Sequence, residues 1–257
     1  MRSTRFGFEV GLGGSGLRAQ VRTNSSDYAV VQGAAAGLAT GGSHGWAASL
    51  RYPMTRSRTA SVYGRLQYET SVATDRLAGL LTNRTRTDVW LLGLSGEAVS
   101  DGGRVETKWD GAMLIGAHQR LGGIVQDAFG PFMKVSFELN RTQAVGEAQA
   151  LVMQLRGQWT GQNLPTSQKF SLGGPNGARA YPVGEASGDL GSVGSLELRW
   201  TPPGVPDGGL QLSEFVDAGW IQLYFDPPAQ IPNVSGRNRY VLAGAGVGAV
   251  WRMHPNV

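Results

Sequence analysis

A single arginine stands in the middle of a long, glycine-rich and mostly uncharged stretch of this 257-residue chain. The stretch is 170–189, FSLGGPNGARAYPVGEASGD, and the arginine is Arg179. Its glycines permit backbone turns that other residues resist, and its prolines stiffen the segment on both sides of the arginine. The glycines before the arginine are Gly173, Gly174 and Gly177, and the prolines are Pro175 and Pro182. Such a loop can hold one guanidinium in a fixed place, where its planar fork would match a carboxylate.

The other residues that could carry chemistry have simpler interpretations. GLGGSG at 11–16 matches G-x-G-x-x-G, but a dinucleotide site needs a helix after the glycines, and the alternation in 17–22 predicts a strand. His44, His118 and His254 are isolated from other metal-ligand residues, so a surface position is the default for each. The chain has no cysteine. We therefore expect no catalytic residues, no metal and no other cofactor, and hence no enzyme.

Composition and charge exclude further classes of protein. Only 16% of the residues are charged, and the net charge of +4 comes from basic residues spread among acidic ones. This distribution predicts no nucleic-acid partner, and no site for a small-molecule substrate is evident. The sequence has no apolar run of about 18 residues, so no transmembrane helix is predicted. The N-terminus, MRSTRFGFEV, has no apolar segment of the signal-peptide type.

The strongest pattern is an alternation of apolar and polar residues with period two. In 133–140 and 151–159 nearly every second residue is apolar and those between are polar. Successive side chains of a strand point to opposite faces, so each segment has one apolar and one polar face. The pattern predicts about eleven strands, at 5–11, 16–23, 43–53, 58–70, 85–98, 104–118, 131–143, 147–160, 190–201, 208–224 and 238–252.

Turns and insertions alternate between these strands. Short turns are predicted from GGSG at 13–16, DGG at 101–103, VGE at 145–147 and PDGG at 206–209. Longer insertions are predicted near 24–42, 71–84, 119–130, 161–189 and 225–237. This asymmetry is typical of a transmembrane antiparallel β-barrel, which has short periplasmic turns and long outer loops.

A soluble β-sandwich is the competing architecture, because it also has strands with one apolar face. The predicted strands are longer than the usual five to six residues of soluble strands, which favours the barrel. Aromatic residues near the strand ends also favour it, because membrane barrels carry aromatic girdles there. These residues are Tyr52, Tyr68, Trp159, Trp200, Trp220, Tyr224 and Trp251.

Several segments resemble parts of one protein family. KFSLGGPNGARAYPVGEASGDLGSVGSLELRW at 169–200 has Arg179 and Tyr181 in a V-R-G-Y-type signature. It is similar to the sixth loop and following strand of the ShlB/FhaC/HecB haemolysin secretion and activation proteins. LQLSEFVDAGW at 210–220 resembles the F-x-D-x-G strand, with Phe215, Asp217 and Gly219 in place. Segments 49–69 and 240–252 resemble two further parts of the same barrel. The signature departs from the superfamily form at Ala178 and Ala180.

The resemblance implies an incomplete barrel. Family members have a barrel of about sixteen strands, preceded by periplasmic domains that capture a secreted partner. An odd number of strands does not close the usual bacterial barrel. We therefore expect residues 1–257 to be part of an outer-membrane barrel, a fragment with loop 161–189 folded inward.

The resemblance also implies a latch, in which Arg179 pairs with Asp217 on the luminal face. Gly173, Gly174 and Tyr181 would belong to the latch, and Phe215 and Gly219 to its partner strand. The polar faces of the other strands would line the lumen with Arg65, Lys134, Glu138, Arg156, Glu197 and Arg199. Glu214 does not fit, because it falls on the face that should meet lipid. Without the resemblance, Arg179 would be interpreted as a solvated loop residue.

The implied function is that of an outer-membrane translocator of two-partner secretion. Its partners would be a large haemolysin- or adhesin-type exoprotein and the lipids of the bacterial outer membrane. Two alternatives share the barrel: an assembly factor of the same superfamily, which inserts other barrels, and a non-specific porin-like barrel.

Overall fold

The computed structural model describes residues 2–31, 36–204, 209–231 and 236–251. The chain forms β1 (Arg2–Leu12), β2 (Leu17–Ala29), β3 (Ala39–Arg56), β4 (Ala60–Leu77), β5 (Leu80–Ser100), β6 (Val105–Gly123), β7 (Gly130–Ala144), β8 (Gln149–Thr160), β9 (Phe170–Ser171), β10 (Ser187–Gly188), β11 (Leu190–Trp200), β12 (Leu210–Gln222) and β13 (Arg239–Trp251). Two short 3₁₀ turns, Asp101–Gly103 and Thr166–Gln168, are also present. No helix among the described residues is long and apolar enough to cross a membrane.

The eleven long strands form one antiparallel sheet in which spatial order follows chain order, β1 to β8 and then β11 to β13. The predicted all-β fold is therefore confirmed. Within the described residues β1 and β13 each have a neighbour on one side only, so the sheet is not closed. The small strands β9 and β10 pair with each other inside the loop at 161–189.

The predicted insertion at 71–84 is wrong, and those predicted at 24–42 and 119–130 are too long, because strands run through nearly all of the first and about half of each of the others. β4 runs to Leu77 and β5 starts at Leu80, so the loop expected at 71–84 is a two-residue turn. The extended parts, such as TSVATDR at 70–76 and TNRTRTD at 82–88, are polar on both faces. The inward-facing residues here are polar even where they are buried, as Thr85 and Thr87 are, so the period-two signal in polarity disappears while backbone pairing continues. The predicted PDGG turn lies largely outside the described residues, as does His254.

The outward face of the sheet is apolar in its middle. Leu92 is 59% exposed and Val216 is 54% exposed, and within the described residues no second sheet covers this face. A soluble sandwich would bury these side chains, so that alternative is wrong.

Aromatic rings border this apolar band, as predicted. Trp220 lies opposite Ser192 in the register, and Trp200 stands eight positions further along β11. Eight residues span about 27 Å along a strand, or about 20 Å across a bilayer at a tilt of about 40°. That height is close to the lipid-facing band of about 25 Å in membrane barrels. Tyr224 is an exception, because it belongs to the loop after β12 and packs against residues on the inner side.

The largest buried cluster lies on the inner face, where the loop at 161–189 folds onto the sheet. Leu172 and Ala178 from the loop are fully buried and pack with side chains from β11, β12 and β13. The strand members of this cluster are Val193, Ile221 and Leu242. The loop, not a second sheet, therefore gives this chain its hydrophobic core and holds the candidate site in place.

Candidate functional site

The tip of the loop at 161–189 is a compact reversal of the chain. Gly174 has φ +94°, which disfavours side chains, and its N–H donates to the carbonyl of Tyr181 at 3.0 Å. The N–H of Ala178 donates to the carbonyl of Leu172 at 2.8 Å. A Cβ at Gly173 would collide with the carbonyl oxygen of Pro182. The predicted glycines therefore let the two arms of the loop approach closely.

This reversal brings Arg179 to Asp217 on β12, the two residues that the resemblance pairs, while their role as a latch stays a prediction. The carboxylate of Asp217 accepts the backbone N–H of Arg179 at 2.9 Å, Nε at 3.0 Å and Nη2 at 2.9 Å. The Asp217 side chain is fully buried, and that of Arg179 is 26% exposed. The pairing is the fork-to-carboxylate geometry that gives strong, directional ion pairs.

Three more side chains surround the guanidinium. Nη1 of Arg179 donates to Glu197 at 2.6 Å and Nη2 donates to Ser195 at 2.8 Å, both on β11. The ring of Phe215 lies 3.5 Å from the guanidinium carbon, a cation–π contact. The hydrogen bonds to Asp217 raise the pKa of Arg179 above its ordinary value, with Glu197 adding to the effect. The arginine therefore stays charged at every physiological pH.

Strand register explains why these groups meet. Asp217 lies opposite Ser195, and Phe215 lies opposite Glu197, so β11 and β12 present all four on one inner face. The facing positions on β12 and β13 are small. A Cβ at Gly219 would collide with the side chain of Leu172, so the loop approaches this strand closely.

Gly244 on β13 lies opposite Asp217 and receives the next residue of the loop. A Cβ at this position would stand 2.5 Å from the Cβ of Ala180. Tyr181 follows and donates its hydroxyl to the carbonyl of Ala243 at 3.3 Å. The sequence R-A-Y at 179–181 thus contacts β12 and β13 in succession. Ala180 has to be small because it packs directly against Gly244.

The residues predicted to line the lumen divide into two groups. Lys134 donates to the carbonyl of Gln168 at 2.8 Å, and Arg156 donates to that of Ser171 at 2.7 Å, so both hold the loop. Glu197 belongs to the latch and also accepts Arg199 at 2.8 Å. The other three do not contact the loop in the hydrogen bonds and ion pairs of the described residues: Arg65 pairs with Asp110 at 3.5 Å, Glu138 accepts Asn140 at 2.8 Å, and Arg199 bonds to Glu197.

A second ion pair fixes the base of the loop, and sequence analysis missed it. Lys169 lies 2.9 Å from Asp189, whose side chain is fully buried. The Asp189 carboxylate also accepts the backbone N–H groups of Leu164 at 3.1 Å and Phe225 at 2.9 Å. Asp189 therefore joins both arms of the loop at 161–189 to the loop after β12. The only signal was a carboxylate directly before a strand, which is too common to be specific.

His118 also differs from its predicted surface position, because it is only 3% exposed. Its ring stacks on Phe129, and its Nδ1 shares a hydrogen bond of 2.8 Å with the hydroxyl of Thr87. Its Nε2 lies 3.2 Å from the carboxylate of Asp127. Asp127 in turn accepts the N–H of Thr166 at 3.0 Å, which ties the loop to the β6–β7 connection. Among the described residues no cluster of three or more metal-ligand side chains is present.

Glu214 lies exposed on the outward face, and nothing in the structure explains a carboxylate there.

Comparison with known proteins identifies relatives of this arrangement. The family model described as haemolysin secretion/activation protein ShlB/FhaC/HecB matches residues 2–250. The heme/hemopexin transporter protein HuxB of Haemophilus influenzae (strain 86-028NP) is 28% identical over 116 residues, which are 45% of this chain and 20% of HuxB.

Solved structures share the fold. CdiB from Escherichia coli has a TM-score of 0.72 at 17% identity, covering 97% of this chain and 47% of that one. CdiB from Acinetobacter baumannii has a TM-score of 0.66 at 17% identity, covering 95% and 43%. BamA from Haemophilus ducreyi lacking POTRA domains 1–3 has a TM-score of 0.63 at 15% identity, covering 97% and 56%.

The chain spans between a fifth and just over half of the length of these relatives. The family match covers almost the whole of this chain, and it agrees with the resemblance seen at 169–200 and 210–220. This is a family of outer-membrane transporters. The chain belongs to the haemolysin secretion/activation proteins ShlB/FhaC/HecB, which are β-barrel proteins of the bacterial outer membrane.

Proposed function

We propose that this chain forms the pore wall of a two-partner secretion translocator, which exports a large haemolysin- or adhesin-type exoprotein across the outer membrane. Lipids of that membrane contact the apolar outward face, and the exoprotein passes through the lumen. The loop at 161–189 closes the lumen at rest, and its release opens a path for an unfolded polypeptide. Folding of the exoprotein outside the cell supplies the direction, because the outer membrane holds no nucleotide supply.

One observation carries the proposal: a loop arginine reaches the inner face of the sheet and is bound there by a buried carboxylate of β12. Arg179 and Asp217 are connected by three short donor–acceptor contacts of 2.9–3.0 Å. A purely structural loop would not require a charge taken from water, because burying charges gives little net stability compared with apolar packing. A charge pair that is costly to separate but specific in geometry suits a latch with two discrete states.

The test is export by the whole protein carrying Arg179→Ala. Without the guanidinium the loop loses its contacts to Asp217 and Glu197 and cannot return to its bound position after each release. If export requires both states in turn, secretion of the exoprotein should fall at least about tenfold. Arg104→Ala is the matched control, since Arg104 lies at a turn and its side chain is 57% exposed. Heat-modifiable migration in gels checks that both variants are inserted. Normal export by an inserted Arg179→Ala protein would contradict the latch.

An assembly-factor function would give a different result in the same cells. The Arg179→Ala change would then reduce the amounts of unrelated outer-membrane barrels rather than of one exoprotein. Quantifying both in the same outer-membrane and culture fractions separates the two functions.

A further inference from the structure

Arginines lie side by side on the inner face of the sheet, far from the latch. Arg18 on β2 lies opposite Arg51 on β3, and Arg51 lies opposite Arg65 on β4. Like charges directly opposite each other across a sheet are destabilising. Glu9 and Asp110 offset the charge of Arg18 and Arg65 at the two ends of the row, and an anion beside Arg51 would offset the charge in the middle.

The first two arginines of this row open onto a cleft of about 280 Å³. It lies where the short β1–β2 and β3–β4 turns end, which is the periplasmic end in membrane barrels. Its lining residues are Gly16, Arg18, Arg51, Pro53, Arg56 and Tyr63. Three guanidiniums thus face one cleft beside an aromatic ring, and Arg51 lies 3.7 Å above the centre of the Tyr63 ring.

The negative charges nearby neutralise only one of the three cleft arginines. Glu9 pairs with Arg18 at 2.5 Å. In the part of the chain that the structure describes, no carboxylate lies within 4 Å of the guanidinium of Arg51 or Arg56. Arg51 and Arg56 stand five positions apart on β3, so their backbones are separated by about 15 Å. Two arginines placed this far apart along one strand match several carboxylates of an extended chain better than one compact anion.

We infer that Arg18, Arg51, Arg56 and Tyr63 form a binding site for an acidic polypeptide segment at the periplasmic end of the lumen. Carboxylates would contact the arginines, and the ring would cover the hydrocarbon part of the segment. The role of this site is to hold the arriving exoprotein at the entrance while the latch is closed. Only this role depends on the proposed function. The binding itself is a property of these residues alone.

The experiment measures binding of fluorescein-labelled decaglutamate to the whole protein in uncharged detergent at low salt, by fluorescence anisotropy. Exposed ion pairs are individually weak, so we expect the loss of two of them in Arg51→Gln/Arg56→Gln to weaken binding about tenfold. Arg104→Gln/Arg141→Gln removes the same charge near the same end but outside the cleft, and we expect little change. Glu9→Gln frees Arg18 and should strengthen binding about two- to threefold by the same reasoning.

Equal affinities of the parent and the Arg51→Gln/Arg56→Gln protein would overturn the site, as would an equal loss in the control pair. Displacement of the peptide by inorganic phosphate much more strongly than by acetate at matched ionic strength would also overturn it, in favour of a small-anion site. Failure of the latch is distinguishable, because an Arg179→Ala protein that exports normally leaves the peptide affinity unchanged.

Discussion

Replacing Asp217 by asparagine should release the loop tip from the inner wall. The carboxylate accepts three N–H groups of Arg179, and an amide keeps the shape but loses the charge. Breaking a buried ion pair costs about 3–5 kcal/mol. Arg179 is 26% exposed and keeps its contact with Glu197, so a smaller cost of about 2–3 kcal/mol is expected. That corresponds to a shift of about 30- to 150-fold toward the released state.

The natural absence of cysteine makes this shift measurable. Ala178 is 0% exposed when the tip is bound, so a cysteine placed there is protected from a maleimide until the tip leaves. When reclosing is faster than labelling, the rate is proportional to the fraction released. We therefore expect Ala178→Cys/Asp217→Asn protein in outer membranes to react about 30- to 150-fold faster than Ala178→Cys alone.

Asp110→Asn is the control for this measurement. Asp110 is a carboxylate on the same inner face, but it pairs with Arg65 on another part of the wall. The control should label at the parental rate. If Asp217→Asn changes the labelling rate of the cysteine introduced at position 178 by less than about threefold, the pair does not hold the tip, and the packing of the loop must do so instead.

Three further changes test neighbouring contacts. Gly244→Ala would place a Cβ 2.5 Å from the loop tip, and the low end of the free-energy cost of overpacking corresponds to labelling about tenfold faster. Gly11→Ala is its control, because nothing lies within 4 Å of that Cβ, and it should not change the labelling rate. Arg179→Lys keeps the charge but loses the fork and the ring contact, so labelling should rise about tenfold and export should fall less than in the alanine variant. Asp189→Asn should lower the midpoint of thermal unfolding measured by circular dichroism, because its buried carboxylate is lost, and Asp110→Asn should leave that midpoint unchanged.

The sequence was informative where the environment differs between the two faces of a strand. Within the lipid-facing band, as in 133–140, alternation placed every side chain on the correct face. Above that band both faces are polar, and β4 and β5 continue where insertions were expected. The Arg179–Asp217 pair came from the family resemblance, since periodicity alone places Asp217 on the inner face without naming its partner.

Several of the contacts that sequence analysis missed are made by backbone groups. Asp189 is recognised by N–H groups of Leu164 and Phe225, which any residue type supplies. The carbonyls that accept Lys134 and Arg156 are equally independent of sequence. Such contacts become visible only when the loop path is known.

The separation of these two ion pairs has a consequence for how the loop opens. The Lys169–Asp189 pair lies at the base, where it joins both arms of the loop to the next loop, while the Arg179–Asp217 pair lies at the tip. Loss of the tip pair leaves every contact of the base in place. Release is therefore expected to move the tip about an anchored base. A cysteine at Ala186, which is 2% exposed and close to Asp189, should then stay protected in Asp217→Asn protein while one at position 178 becomes reactive. Equal exposure of both positions would instead mean that the whole loop leaves the lumen as one unit.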